Sequence, residues 1–213
     1  MVEVLTIALD VMGGDHGASV VVPAALRFLK KRSGFSLLLV GDQAVIRAEL
    51  AKLRASGDQR LEIQHASQAV DMDELPSKAL RFKKDSSMRI AINMVKEGRA
   101  QACVSAGNTG ALMATAKFVL KTLPGIDRPA ICTSLPTTSG HTWMLDLGAN
   151  IDSTPQHLFQ FALMGTVLAQ AIDGNQYPTG GLLSIGEVAM KGSEPIREAA
   201  SLWAVSELKY AGF

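Results

Sequence analysis

Aromatic side chains are scarce in this sequence of 213 residues: phenylalanine, tryptophan and tyrosine together make up 5% of it. Proteins that bind single-stranded nucleic acid use aromatic side chains as stacking platforms and a basic surface for the backbone. The net charge here is only +1, from 21 basic and 20 acidic residues. Both features argue against nucleic acid, and we expect no such partner.

Cysteine and metal-binding patterns are also sparse. The two cysteines, Cys103 and Cys132, lie in the apolar runs QACVSA and PAICTSL, which favours buried thiols in a reducing compartment over a disulfide or a catalytic thiol. The four histidines are scattered, and no H-x-x-x-H or C-x-x-C spacing occurs. We therefore predict no metal site. His16, beside a glycine-rich turn, remains an alternative acid or base.

No apolar run is long enough for a membrane span. The longest, from Leu158 to Ile172, carries two glutamines and is shorter than the roughly 20 residues that a span needs. We predict that it forms a buried helix. The amino terminus lacks the basic region of a signal peptide, so we expect a cytoplasmic protein whose membrane contact, if any, is peripheral.

Strand-like and helix-like runs alternate along the chain. EVLTIALD, FSLLLVG, LEIQHA, QACVSAG, PAICTSLP, HTWMLDLG and GGLLSIG are predicted strands, and helices are predicted between them, with a last one from Ser193 to about Lys209. Asp42, Ser86 or Ser87, and Thr154 with Pro155 are the expected helix starts. The order favours one α/β domain over residues 1–213 with a largely parallel sheet covered on both faces. The polar stretch 64–84 is predicted to be an excursion from the sheet or a lid.

Glycine-rich turns follow several of these strands, where open parallel sheets bind their ligands. The first is LDVMGGDHG, from Leu9 to Gly17, for which a nucleotide loop, an anion cradle and a plain turn are all alternatives. The second, SAGNTG, runs directly into a helix, whose free amides and dipole suit an anion. Neither has the Walker A or G-x-G-x-x-G spacing, which argues against a nucleotide. Acting together, the two turns favour a phosphate site.

Cationic side chains could complete such a site. Lys191, in EVAMKG, follows a predicted strand and could place an ammonium beside phosphate or a developing oxyanion. Arg81 is a further candidate ligand for an anion. For both, a solvated surface position is the alternative. No Ser-His-Asp arrangement or G-x-S-x-G turn occurs, so the predicted nucleophile is a bound anion.

Several phrases in this order resemble one family. DVMGGD followed by VPAAL, then SSMRIAINMVKEGRAQACVSAGNTGALM, LDLGAN, and IGE followed by MKG, are similar to the phosphate acyltransferases of bacterial phospholipid synthesis, the PlsX family. The resemblance covers the whole chain. It implies a three-layer α/β/α sandwich similar to phosphotransacetylases and isopropylmalate dehydrogenases. It also implies transfer of a long-chain acyl group from acyl carrier protein to inorganic phosphate, giving an acyl phosphate, without a cofactor.

The resemblance also implies site residues and partners. Lys191 and Asp15 take the catalytic roles in this interpretation. The predicted substrate-binding residues are Gly13, Gly14, Ser105, Gly107, Asn108, Thr109, Gly110, Asp146, Asn150 and Arg81. Members of the family are homodimers with peripheral membrane association. Basic residues are candidate docking points for the acidic carrier protein: Lys30, Lys31, Arg32, Lys83 and Lys84.

The sequence departs from the family at its end. The later family motif Asp-Gly-Phe-x-Gly-Asn has no counterpart here, so we expect the N-terminal portion of a longer family domain. Two alternatives to the acyl carrier protein:phosphate acyltransferase therefore stay open. One is a phosphotransacetylase-like enzyme that uses acyl-CoA, and the other is a non-catalytic fragment that binds phosphate or the carrier protein.

Overall fold

The computed structural model describes residues 4–184 and 193–212. The chain divides into two compact units, Met1–Lys121 and Thr122–Phe213. The expectation of one domain over residues 1–213 stays a prediction.

The first unit alternates strands and helices, as the sequence predicted. Its elements are β1 (Leu5–Asp10), α1 (Ala18–Lys31), β2 (Phe35–Gly41), α2 (Gln43–Lys52), β3 (Leu61–His65), α3 (Pro76–Phe82), α4 (Ser87–Lys96), β4 (Ala102–Ser105) and α5 (Thr109–Leu120). The four strands form one sheet in the order β3-β2-β1-β4. Every pairing in this sheet is parallel, which confirms the predicted sheet type.

Helices cover both faces of this sheet because its strands are apolar on both sides. Along β2, alternate side chains point to opposite faces. Leu37 and Leu39 belong to a cluster with α1 and α2, whereas Leu38 and Val40 belong to a cluster with α4. The result is the predicted layering of helix, sheet and helix around two buried cores.

The predicted helix starts are found at the expected residues. Asp42 caps α2, because its carboxylate accepts hydrogen bonds from the amides of Ala44 and Val45. Ser86 caps α4 by accepting from the amide of Arg89 at 3.3 Å. Such caps pair amides that have no carbonyl partner within the helix.

The second unit contains β5 (Cys132–Thr137), β6 (Gly140–Leu145), α6 (Pro155–Asp173), β7 (Thr179–Gly180), α7 (Glu194–Ala204) and β8 (Lys209–Tyr210). β5 and β6 pair as an antiparallel hairpin, and β7 pairs with β8 in parallel. α6 begins as predicted, with Thr154 as a capping residue and Pro155 at the first turn.

Three predictions for this unit were wrong. Of the described residues of GGLLSIG, only Gly180 lies in a strand, β7, and residues 181–184 are not strand. The last helix ends at Ala204, before Lys209, because the carbonyl of Trp203 accepts from the amide and hydroxyl of Ser206 and turns the chain. α6 is only partly buried, since Val167 is 55% exposed. The apolar run Leu158–Ile172 therefore predicted correctly that this segment is helical, but it did not predict how much of the helix is exposed.

No helix within the described residues is long and apolar enough to cross a membrane.

The cap at α2 gives a testable contribution to stability. Asp42→Ala removes the acceptor for two α2 amides, and we expect it to lower the free energy of unfolding by about 1 kcal/mol. Urea denaturation followed by circular dichroism measures the change. The exposed Asp73 supplies the control, Asp73→Ala, which should alter stability little. Equal effects of the two substitutions would contradict a specific capping role.

Candidate functional site

Two glycine-bearing turns meet at the carboxyl edge of the sheet. β1 and β4 are parallel neighbours, and the last residue of each lies in register with the other, Asp10 with Ser105. β2 and β3 lie on one side of β1, and β4 lies on the other. The connections therefore change direction between β1 and β4. In open α/β sheets this switch point is where a crevice for ligands forms.

A hydrogen-bonded pair joins the two strand ends. The hydroxyl of Ser105 donates to Oδ2 of Asp10 at 2.6 Å, and the same hydroxyl oxygen accepts from the amide of Gly107 at 3.0 Å. Asp10 is only 2% exposed. The carboxylate thus ties β1 to the first residues of the β4–α5 turn.

Asp10 lies at the centre of the site, but it was not among the residues predicted from the sequence. Its signal was present: a carboxylate ends an apolar strand and is followed three residues later by Gly-Gly. A charged group in a buried strand has to find a partner, because an unpaired buried charge is costly. The partner, Ser105, lies 95 residues away in sequence.

Gly13 and Gly14 are required because the two turns touch through their backbones. A Cβ on Gly13 would lie 2.5 Å from Oδ2 of Asp10 and 3.0 Å from the amide nitrogen of Gly107. Gly14 has φ +84°, and a Cβ there would lie 3.0 Å from the carbonyl oxygen of Ala106. Contact this close leaves no room for a side chain. Gly13, Gly14 and Gly107 are therefore brought together, and their substrate-binding roles stay predictions.

Asn108 and Gly110 hold another segment against the start of α5. Oδ1 of Asn108 accepts from the amide of Ala111 at 2.9 Å, which caps the helix. Its Nδ2 donates to the carbonyls of Met72 and Glu74, each at 2.9 Å, and to that of Asp71 at 3.3 Å. A Cβ on Gly110 would lie 2.9 Å from Cγ of Pro76. Part of the predicted excursion, 71–76, is thus fastened to α5; its role as a lid stays a prediction.

Two polar side chains of the second turn, Ser105 and Asn108, are already engaged. The hydroxyl proton of Ser105 is directed to Asp10, and the amide protons of Asn108 are directed to carbonyls of the 71–74 segment. The amides at the first turn of α5 have no carbonyl partner within the helix and carry its positive dipole end. Binding of an anion here would therefore depend chiefly on the backbone. The substrate-binding roles assigned to Ser105 and Asn108 stay predictions.

Three other predicted residues are exposed. Thr109 is the first residue of α5, Asp15 lies in the β1–α1 turn, and Arg81 lies on α3. The guanidinium carbon of Arg81 lies 5.9 Å from the ring centroid of Phe82. Their exposure is compatible with a ligand, and their assigned roles stay predictions.

Asp146 and Asn150 lie in the second unit and fix a turn there. Oδ1 of Asp146 accepts from the amide of Ile131 at 2.7 Å, and Oδ2 accepts from the amide of Asn150 at 2.8 Å. Nδ2 of Asn150 donates to the carbonyl of Pro129 at 3.0 Å. These contacts hold two loops of the second unit together, and the substrate-binding roles assigned to Asp146 and Asn150 stay predictions. Lys191 lies outside the described residues.

The cysteines do not supply a ready nucleophile. Burial, and secondarily the nearby Asp10 carboxylate, raises the pKa of the Cys103 thiol to about 12. Burial also raises the pKa of Cys132. Since the thiolate is the nucleophilic form, neither residue is activated. Within the described ranges, no three His, Cys, Asp or Glu side chains are grouped so that they could hold a metal ion.

Comparison with known proteins adds a family match. The model of the family described as "Fatty acid synthesis protein" matches residues 5–213. The phosphate acyltransferase of Nitrosococcus oceani is 62% identical over 209 residues, which cover 98% of this chain and 62% of that protein. The phosphate acyltransferase of Methylococcus capsulatus is 58% identical over 208 residues, covering 98% and 61%. The chain thus spans a little over three fifths of the length of these curated relatives.

Two solved structures share the fold. EutD phosphotransacetylase from Staphylococcus aureus has a TM-score of 0.69 at 17% identity, over 100% of this chain and 69% of that one. A branched-chain phosphotransacylase from Enterococcus faecalis V583 has a TM-score of 0.62 at 16% identity, over 98% and 67%. At such identities the likeness concerns the fold, and it confirms the predicted phosphotransacetylase-like α/β sandwich.

The contact between the two turns can be tested at Gly13. In Gly13→Ala the new methyl group would collide with Asp10 and Gly107, and we expect a loss of stability of about 1–3 kcal/mol. Thermal and urea unfolding measure it. The control is Gly34→Ala, because no heavy atom lies within 4 Å of the added Cβ and φ there is not positive. A stability of Gly13→Ala equal to that of the control would show that the turns are not in contact.

The raised pKa of Cys103 predicts slow alkylation. At pH 8 its thiolate fraction should be about a thousandfold below that of an ordinary thiol, because each pKa unit is a factor of ten. Labelling by iodoacetamide between pH 7 and pH 9, located by peptide mass spectrometry, should stay far slower than that of an ordinary thiol and should rise about tenfold per pH unit without levelling off. A free cysteine peptide is the control. Labelling of Cys103 at the control rate would refute the raised pKa.

Proposed function

The chain belongs to the fatty acid synthesis protein family, the PlsX family, and on that premise we propose that it transfers a long-chain acyl group from acyl carrier protein to inorganic phosphate. The observation that carries the proposal is the pair of backbone-lined turns at the switch point, beside the start of α5. Helix amides and close glycine turns suit phosphate without a nucleotide.

In the proposed reaction a phosphate oxygen attacks the thioester carbonyl carbon. The new C–O bond forms, the tetrahedral oxyanion collapses, and the C–S bond breaks to release the carrier thiolate and an acyl phosphate. The thiolate is a good leaving group, so no acyl-enzyme is required. The protein's task is then to position phosphate and stabilise the oxyanion, and the unactivated thiol of Cys103 fits that chemistry.

The roles proposed for residues follow the same chemistry. Amides at the start of α5 and the Gly13–Gly14 turn would hold phosphate. Lys191 would supply positive charge for the oxyanion, and the exposed Asp15 would orient a donor or hold the turn. No cofactor enters this scheme. By family resemblance we also propose a cytoplasmic homodimer with peripheral membrane association.

Two competing functions give different experimental outcomes. The fold is shared with phosphotransacetylases, which favours a short-chain acyl-CoA donor. The second competing function is binding of phosphate or carrier protein without turnover. Faster turnover with acetyl-CoA than with palmitoyl acyl carrier protein would favour the first alternative over the proposed function. Binding of phosphate or carrier protein without release of thiol would favour the second.

The proposal is tested by phosphate-dependent thiol release from palmitoyl acyl carrier protein. The wild-type chain should release thiol only with phosphate and should form an acyl phosphate that hydroxylamine traps as a hydroxamate. Lys191→Ala should lower the rate about 10²-fold, as expected when one oxyanion-stabilising group is lost. Lys96→Ala, at an exposed position of α4, is the control. Absence of thiol release by the wild-type protein would contradict the proposed function. A normal rate in Lys191→Ala would contradict the role proposed for that lysine.

A further inference from the structure

Positive charge is concentrated in one part of a nearly neutral chain. Residues 16–57 carry seven of the 21 basic residues but only two of the 20 acidic ones. All seven basic side chains are exposed: Arg27, Lys30, Lys31, Arg32, Arg47, Lys52 and Arg54. This segment comprises α1, β2 and α2, and β2 is buried over most of its length. The charges therefore lie on the outer surface of α1 and α2.

The two acidic residues in this segment already have partners. Asp42 accepts from the amides at the start of α2. Glu49 accepts from Lys52 at 2.6 Å. The remaining cations thus create a positive field over this surface, which the net charge of +1 conceals.

An open groove of about 730 Å³ runs along this surface. We call it the basic groove and define it by its apolar floor, Val20, Pro23, Ala24 and Leu53, and by its basic edge, Arg27, Lys30 and Lys31. Val20 is 53% exposed although it is a large aliphatic residue. An apolar floor with a cationic edge is complementary to an acidic protein that presents some apolar side chains.

We propose that the basic groove is the docking surface for acyl carrier protein, an acidic protein; the inference rests on the function proposed above. α1 begins directly after Gly17, at the end of the glycine turn. Its 14 residues extend for about 21 Å, at 1.5 Å per residue. A carrier docked along α1 therefore lies beside the candidate phosphate site, and its flexible prosthetic arm has only the length of this helix to span.

Not all of the basic residues suggested by the sequence belong to this surface. Lys30 and Lys31 line the groove, and Arg32 follows them directly. Lys83 is instead engaged elsewhere: its ammonium donates to the carbonyl of Ala69 at 3.0 Å and lies 3.7 Å from the carboxylate of Glu74. The structure thus separates the α1 cations from the other basic pair.

A lipid surface would also attract these cations, but the helix geometry favours a protein. An amphipathic helix that enters a membrane interface does so with its apolar face. The apolar face of α1 is already used, because Val22, Ala25 and Leu29 are buried in the core beneath it. What remains exposed is a groove with a narrow apolar floor, which suits side chains of a partner protein better than a lipid bilayer.

The experiment compares Lys30→Glu/Lys31→Glu with Lys96→Glu. Lys30, Lys31 and Lys96 are exposed and occupy the last turns of their helices, so each single substitution has a similar effect on its helix dipole. The double variant lowers the net charge by four and the control lowers it by two. Titration calorimetry with palmitoyl acyl carrier protein should show dissociation constants raised about tenfold or more in the double variant and within about twofold of wild type in the control, since rim charges govern encounter. The difference should shrink at high salt.

Each outcome decides the inference. Equal affinity of wild type and double variant, or an equal loss in the Lys96→Glu control, would overturn it. Loss of binding to phosphatidylglycerol vesicles with unchanged carrier affinity would overturn it in favour of a lipid surface. Lys30→Gln/Lys31→Gln, which adds no negative charge, should lose an intermediate amount of affinity for the carrier protein. This variant keeps the test valid if the Glu variant does not fold. Carrier binding that depends on the groove, without phosphate-dependent thiol release, would support the docking surface while refuting the proposed function.

Discussion

The hydrogen bond from Ser105 to Asp10 is the interaction on which the candidate site depends. It joins two strands that are neighbours in the sheet but 95 residues apart in sequence, at the point where the strand connections change direction. A buried carboxylate needs such a partner, because desolvation without one is costly. Within the described residues its second oxygen, Oδ1, is buried with no hydrogen-bond partner, so the Ser105 contact is all the more important to it.

The glycines of the site follow from that contact. With Asp10 and Ser105 fixed, the β1–α1 turn passes so close to Asp10 and Gly107 that a Cβ on Gly13 would overlap them. The side chain of Ser105 donates its hydrogen bond to Asp10, and the side-chain amide of Asn108 donates to carbonyls of the 71–74 segment. At the proposed site an anion would therefore meet largely backbone amides, and preorganised dipoles of this kind stabilise an anion without the cost of reorganising.

Electrostatics acts over two ranges in this unit. At the switch point the amides at the start of α5 act within a few ångströms, whereas the cations of α1 and α2 act over a Debye length of about 10 Å. The same helix, α1, starts at the glycine turn and carries part of the basic groove. Capture of an acidic acyl donor and binding of its phosphate co-substrate would therefore be served by adjacent parts of one element.

The sequence by itself determined the parallel α/β sheet of the first unit, most helix starts and the glycine turns, because strand hydrophobicity, capping residues and glycine act locally. It did not identify Asp10, since the partner of that carboxylate is brought to it only by pairing of β1 with β4. It also placed α6 in the interior and extended the last helix too far, because burial depends on what packs against a helix. Tertiary structure alone decided which polar side chains hold the turns and which surface gathers the cations, since both follow from distances between residues far apart in the chain.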